Sequence, residues 1–272
     1  MPSGGYHRIF VQSRHCQVSR LVRAIPVALL ALAIAAAAHA ADRAATRPGV
    51  GERTFSMQLD GSPEAIDVYR PTTGAPRAVV ILAHGFTRSR ATLAELGRDL
   101  AGSGFAVVAP DLPYLVDHTG NGRVLAGLAS MIEQGTAPEL DLGARRVIFA
   151  GFSAGGLASL LAAASHPGSL GWIGIDPVDR GNRGIAAAPR LSVPAYVVRG
   201  PSAACNAYAN SEAIVKRVPA LADDRIVANA SHCDFETPTD GICEFLCGRA
   251  DPARQAAIRA AVVEAARALA AH

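Results

Sequence analysis

Arg145-Arg146-Val147-Ile148-Phe149-Ala150-Gly151-Phe152-Ser153-Ala154-Gly155 decides the reading of this chain. A β-branched apolar run leads into a turn of small residues with one serine at its centre, and an alanine- and leucine-rich stretch with helical character follows to about residue 165. Strand, sharp turn and helix in that order push the serine hydroxyl out of the chain. They also place the next N–H, that of Ala154, at a helix N-terminus where a developing oxyanion can be held. The stretch therefore points to a nucleophilic serine, Ser153. Gly-x-Ser-x-Gly alone recurs by chance in glycine-rich chains, and the flanking strand and helix are what give it weight.

On either side of this turn, short strand-like runs alternate with longer helical ones. Residues 53–59 and 65–69 alternate with period two around Asp60-Gly61-Ser62-Pro63, which predicts an antiparallel hairpin. Continuous apolar runs at 78–83, 105–109, 147–150, 172–175, 195–198 and 225–228 read as parallel strands covered on both faces. Helical patterns occupy 91–103, 122–134, 154–165, 211–218 and 252–270. The alternation predicts an α/β fold, with a mostly parallel central sheet of about eight strands and helices on both faces. One catalytic domain covers 53–272 in this reading. Residues 176–194 form the only long segment without a clear period and are expected over the strand C-terminal edge, where a cap or substrate loop sits.

Residues 1–40 read as a signal peptide, and 41–52 as a short tail. Arg14, Arg20 and Arg23 precede an uncharged run over 24–38, and Ala38-His39-Ala40 presents small residues where a signal peptidase reads, so cleavage is expected after Ala40 or Ala41. The run is shorter than the ~20 residues of a comfortable span, which disfavours an uncleaved anchor. Export to the periplasm or the exterior is expected, with no stable membrane insertion once the leader is removed.

The whole chain carries 26 basic against 23 acidic side chains, but four of its arginines lie in the leader, which leaves 22 against 23. No basic tract survives, and nucleic acid is excluded as a partner. Four cysteines remain, Cys205, Cys233, Cys243 and Cys247, and an even count in an exported chain predicts two disulfides. Three pairings are open. A zinc site is the competing reading, but no CxxC pair occurs and the nearby histidine has another assignment, so neither metal nor organic cofactor is expected.

A serine nucleophile needs a base and an orienting acid, which at such a turn follow it in the order acid, histidine. Three histidines lie after Ser153. His166 ends the helix that starts at Ala154, roughly 18 Å away at ~1.5 Å per residue, and His272 is the chain end. His232, in a loop past the last strand, is the predicted base. No Asp or Glu occurs between Asp179 and Glu212, so the loop after the 195–198 strand has no acid to offer. One strand earlier, Asp176 stands at a strand end with Pro177 behind it, and it is the predicted acid, with Asp179 as the fallback. The oxyanion hole is assigned to the N–H groups of Ala154 and Phe86, the latter in His84-Gly85-Phe86 after the 78–83 strand. Gly85 lets the backbone pass close to a substrate carbonyl, and His84 is expected to hydrogen-bond beneath the loop. Gly85, Tyr114 and Trp172 are assigned to the substrate cleft.

With these residues in place the chain resembles an α/β-hydrolase of the group holding chlorophyllase-like esterases and bacterial cutinase-like polyester hydrolases. The matching segments are His84-Gly85-Phe86, Ala109-Pro110-Asp111, residues 151–156, residues 174–178 and Ser231-His232. The Ile175-Asp176-Pro177-Val178 string is closer to chlorophyllases, whose acid occupies this position. Phe152 and Ala154 stand where plant chlorophyllases typically carry histidine and arginine, so chlorophyll as substrate does not carry over. In polyester hydrolases a disulfide can tie the loop after the seventh strand to the histidine loop; that resemblance implies Cys205 with Cys233, leaving Cys243 with Cys247. The expected activity is that of an exported serine esterase acting on small-molecule or lipid-like esters through an acyl-enzyme. Its rivals are a lipase or polyester hydrolase working at an interface, favoured by a broad apolar cleft around Phe86, Tyr114, Leu115 and Trp172, and a catalytically silent secreted binding module on the same fold.

Overall fold

The computed structural model describes residues 49–271. The signal-peptide assignment, most of the 41–52 tail and His272 lie outside them.

The antiparallel hairpin forms from β1 (Val50–Leu59) and β2 (Ser62–Pro71), turning at Asp60-Gly61. Six further strands follow: β3 (Val79–Ala83), β4 (Ala106–Pro110), β5 (Val147–Phe152), β6 (Gly171–Ile175), β7 (Ala195–Arg199) and β8 (Leu221–Ile226). They make one eight-stranded sheet in the order β1-β2-β4-β3-β5-β6-β7-β8, antiparallel at the hairpin and parallel from β4 onward. The helices are α1 (Ala94–Gly102), α2 (His118–Gln134), α3 (Ala154–Ser165), α4 (Arg183–Ala187), α5 (Glu212–Val215), α6 (Gly241–Cys247) and α7 (Pro252–Ala270).

The period-two direction of side chains splits each buried strand between two cores. On β3, Val79, Ile81 and Ala83 pack with Leu125 and Leu128 of α2 and Leu160 of α3, whereas Val80 and Leu82 pack with Leu96 and Leu100 of α1 and Val262 and Leu269 of α7. Helices thus cover both faces, which is why the strands read as unbroken apolar runs.

Three elements differ from the sequence reading, the first being α4, a short helix inside the 176–194 segment read as aperiodic. The last strand is β8 at 221–226 rather than 225–228: Leu221-Ala222-Asp223-Asp224-Arg225-Ile226 lies at the sheet edge with no residue fully buried, and its charges suit an exposed edge. Helix α6, unforeseen, has no buried residue either: its apolar side chains Ile242, Phe245 and Leu246 repeat at helical spacing for only seven residues and stay exposed.

Candidate active site

Ser153 sits between β5 and α3 with φ 53° and ψ −118°, backbone that an L-residue adopts only under constraint. The constraint is visible on both sides. Its N–H donates to the Ile175 carbonyl at 3.0 Å, and its carbonyl accepts from Val178 N–H at 3.1 Å. The turn closes because its glycines lack side chains. A Cβ on Gly151 would lie 2.2 Å from the Gly155 carbonyl oxygen, and one on Gly155 would lie 2.3 Å from that of His84. Both glycines are therefore steric requirements of the elbow.

His232 reaches this serine from the loop after β8. Ser153 Oγ–H donates to His232 Nε2 at 3.0 Å, and His232 Nδ1–H donates to Asp176 Oδ2 at 2.6 Å. An acceptor-only carboxylate on Nδ1 selects the tautomer that leaves Nε2 free to accept the serine proton. Asp176 is almost wholly buried at the end of β6, with φ 38° and its N–H on the Val198 carbonyl. Its other oxygen, Oδ1, accepts from Gly200 N–H at 3.0 Å and Asn206 Nδ2–H at 3.3 Å. Gly200 and Asn206 were not among the sequence assignments. The Asn206 side chain is itself held by three bonds to the loop after β7, since its Nδ2 also donates to the Pro201 carbonyl and its Oδ1 accepts from Ala203 and Ala209 N–H.

Asp179, the fallback acid, is occupied elsewhere. Its two oxygens accept from Gly184 and Ile185 N–H at the start of α4, so it pins the 180–185 loop and stays off the histidine. His166 ends α3 and bonds Glu133. His84 lies under its loop as expected, its Nδ1–H on the Gly85 carbonyl and its Nε2 accepting from Leu112 N–H; burial lowers its pKa and keeps it neutral.

Phe86 and Ala154 both line the cleft that opens over Ser153, and among the described residues neither N–H is bonded within the protein. That of Ala154 belongs to the first turn of α3, where no intrahelical acceptor exists. The Phe86 loop is braced by an ion pair invisible in the sequence. Arg88 Nε and Nη2 each donate at 2.7 Å to the two oxygens of Glu236, four residues after His232, and Arg88 Nη1 reaches Asp240. The Glu236 side chain is fully buried; burial raises its pKa, against the lowering pull of Arg88.

The cleft has a volume of about 1220 Å³ and takes its far wall from residues 178–185, which run into α4 and lie within the 176–194 stretch predicted to be a cap or substrate loop. All three cleft assignments need correction, and Leu115 with them. Gly85, Tyr114 and Leu115 line a smaller side cavity of about 160 Å³, which shares Phe86 and Ala154 with the main cleft, and the Tyr114 hydroxyl is bonded to Asp60. Trp172 is not in the cleft at all. It lies three residues before the end of β6, roughly 10 Å back at ~3.3 Å per residue, fully buried with its Nε1–H on Ser159 Oγ.

The disulfides also differ from the expected pairing: they join Cys205 to Cys247 and Cys233 to Cys243. With 241–247 helical, Cys243 and Cys247 are one turn apart with Cβ atoms about 5–6 Å from each other. That exceeds the ~3.5–4.5 Å a disulfide needs, so each reaches out to a separate loop. The sulfurs of Cys233, Cys243 and Cys247 lie within 4.8 Å of one another, but as disulfides they offer no thiolate to a metal. Among the described residues no helix is long and apolar enough to cross a membrane.

No family model and no curated protein matches the chain. Among solved structures, the dienelactone hydrolase from Anabaena variabilis ATCC 29413 is similar to it, with a TM-score of 0.62 and 20% identity over 79% of this chain and 96% of that one. The likeness establishes an α/β-hydrolase fold.

Proposed function

We propose that this chain is an exported serine hydrolase that cleaves carboxylic esters through an acyl-enzyme. One observation carries the reading: the continuous relay from Ser153 Oγ through His232 to the buried Asp176, at 3.0 and 2.6 Å, set in the floor of an open cleft. Ser153 attacks the ester carbonyl as His232 Nε2 takes its proton, and the Phe86 and Ala154 N–H groups hold the oxyanion of the tetrahedral intermediate. The histidine then passes the proton to the departing alcohol. Water, activated by the same ring, attacks the acyl-enzyme and releases the acid and the free serine. Asp176 stabilises the imidazolium in both halves. No step calls for a metal or organic cofactor.

A solved hydrolase of similar fold supports the general class, and its name makes it a hydrolase of a lactone, itself an ester. Two disulfides support an oxidising compartment, in keeping with the leader assigned to residues 1–40 and a catalytic domain over 53–272. A lipase or polyester hydrolase is the second reading, favoured by the exposed apolar side chains at the cleft mouth, Phe86 and Val116 among them.

A fluorophosphonate probe tests the proposal. It should label Ser153 in the parent and nothing in a folded Ser153→Ala variant, and p-nitrophenyl esters of increasing chain length should be hydrolysed by the parent alone. Persistent labelling of another serine, or equal turnover by the variant, refutes it.

A further inference from the structure

Eight large apolar side chains are exposed among the described residues, and half of them line the cleft. Phe86, Val116, Ile242 and Leu246 line the cleft itself, while Phe245 and Tyr208, at 87% and 75% exposure, adjoin lining residues in sequence. Isolated apolar residues on a surface need no explanation, but their concentration around one opening does. Helix α6 sharpens the case. None of its seven residues is buried, and disulfides from Cys243 and Cys247 anchor it to the loops of His232 and Asn206. Its anchorage comes chiefly from the two disulfides, and it leaves Ile242, Phe245 and Leu246 exposed to solvent.

The same rim is cationic. Arg180, Arg183, Lys216 and Arg217 line the cleft as exposed side chains against one exposed carboxylate, Glu212, which is shared between Arg199 and Lys216. This surplus stands in a chain whose residues beyond 40 carry 22 basic and 23 acidic side chains. Apolar side chains ringed by Lys and Arg match a surface with an acyl interior and anionic headgroups. A second copy fits poorly, because an isologous contact would bring the two cationic rims together.

We propose that the cleft mouth docks on an anionic lipid surface, with Phe245 and Leu246 entering the headgroup boundary and Arg180, Arg183, Lys216 and Arg217 engaging the headgroups. Docking this rim would bring Ser153 close to esters held in that surface; this consequence, though not the docking itself, rests on the esterase reading.

Sedimentation of the Ser153→Ala protein with vesicles tests docking apart from chemistry. Vesicles of phosphatidylcholine with a quarter phosphatidylglycerol should carry the protein down at low salt, and pure phosphatidylcholine should carry far less. Each rim cation near such a surface contributes about fivefold in partitioning, so Arg180→Ala with Arg183→Ala should weaken binding by on the order of 10- to 30-fold. Phe245→Ser with Leu246→Ser should abolish most of it, and both positions are exposed enough to spare the fold. Ile226→Ser, away from the mouth, should bind like its parent. Equal binding to both vesicle types, or binding indifferent to the Phe245 and Leu246 changes, overturns the proposal. So does self-association that these changes abolish, which would make a second copy the occupant. Hydrolysis of a water-soluble acetate ester by the parent reports the chemistry separately, so failure of docking and failure of the esterase reading are distinguishable.

Discussion

Replacing Arg88 by methionine isolates the brace between the two loops that flank Ser153. Arg88 makes two 2.7 Å bonds to Glu236, whose side chain has no exposed surface, and among the described residues the Glu236 carboxylate otherwise has only the Thr239 hydroxyl at 3.4 Å. Arg88→Met therefore strands a buried carboxylate, for which about 3–5 kcal/mol of destabilisation is expected. For a domain of this size that corresponds to a fall in Tm of roughly 6–20 °C. The loss should depend on pH. Burial already holds the Glu236 carboxyl above the usual range, and Arg88 opposes that rise. Without Arg88 the folded pKa climbs further above the unfolded value, near 4.3. The native state then binds more protons than the unfolded state, so stability falls as pH rises through the window between those values and recovers on acidification. Denaturation at pH 7.5 and pH 5 should show the gap between parent and variant shrinking at the lower pH. Arg88→Met combined with Glu236→Leu should be more stable than Arg88→Met alone at pH 7.5. A gap that does not change with pH, or a double variant no better than the single one, would refute the claim that an uncompensated buried charge is the cause.

Asp176→Asn should lower turnover by about 10⁴-fold through loss of the correct histidine tautomer, whereas Asp179→Asn should instead loosen the 180–185 loop and cost about 1 kcal/mol in stability; steady-state kinetics beside thermal melts separate the two. Asn206→Ala removes one donor to Asp176 and leaves the Ala203 amide without its acceptor, while Ala209 N–H keeps the Asn206 backbone carbonyl, so it should cost about 1–3 kcal/mol and reduce turnover far less than Asp176→Asn. Reducing the disulfides, which span 42 and 10 residues, should cost roughly 4 and 3 kcal/mol through the unfolded chain. Activity should fail at a temperature where circular dichroism still reports the sheet, and simultaneous loss of both would show that the staples do not act on the site loops.

What was legible in the sequence and what was not divides along a physical line. A strained serine turn imposes requirements on its immediate neighbours, so Gly151, Ser153 and Gly155 carry their own signature, and the buried parallel strands announce themselves as apolar runs. Elements without a buried face do not: β8 is charged along the edge, and α6 repeats its apolar residues for only seven positions with none buried, too short a run to mark a helix. Missing that helix also misdirected the cysteines, because only a helical 241–247 forces Cys243 and Cys247 toward different partners. The Arg88–Glu236 pair joins residues 148 positions apart, and nothing local to either marks it.

Asp176 shows how an absence can inform. With no carboxylate between Asp179 and Glu212, the acid had to come from the end of β6, and the loop after β7 was released from supplying it. That loop took a complementary part: Gly200 and Asn206 donate to the oxygen of Asp176 that His232 leaves open, and Cys205, beside Asn206, ties the same loop to α6. An acid on β6 thus finds its donors on the loop beyond β7, where an acid on β7 would have stood.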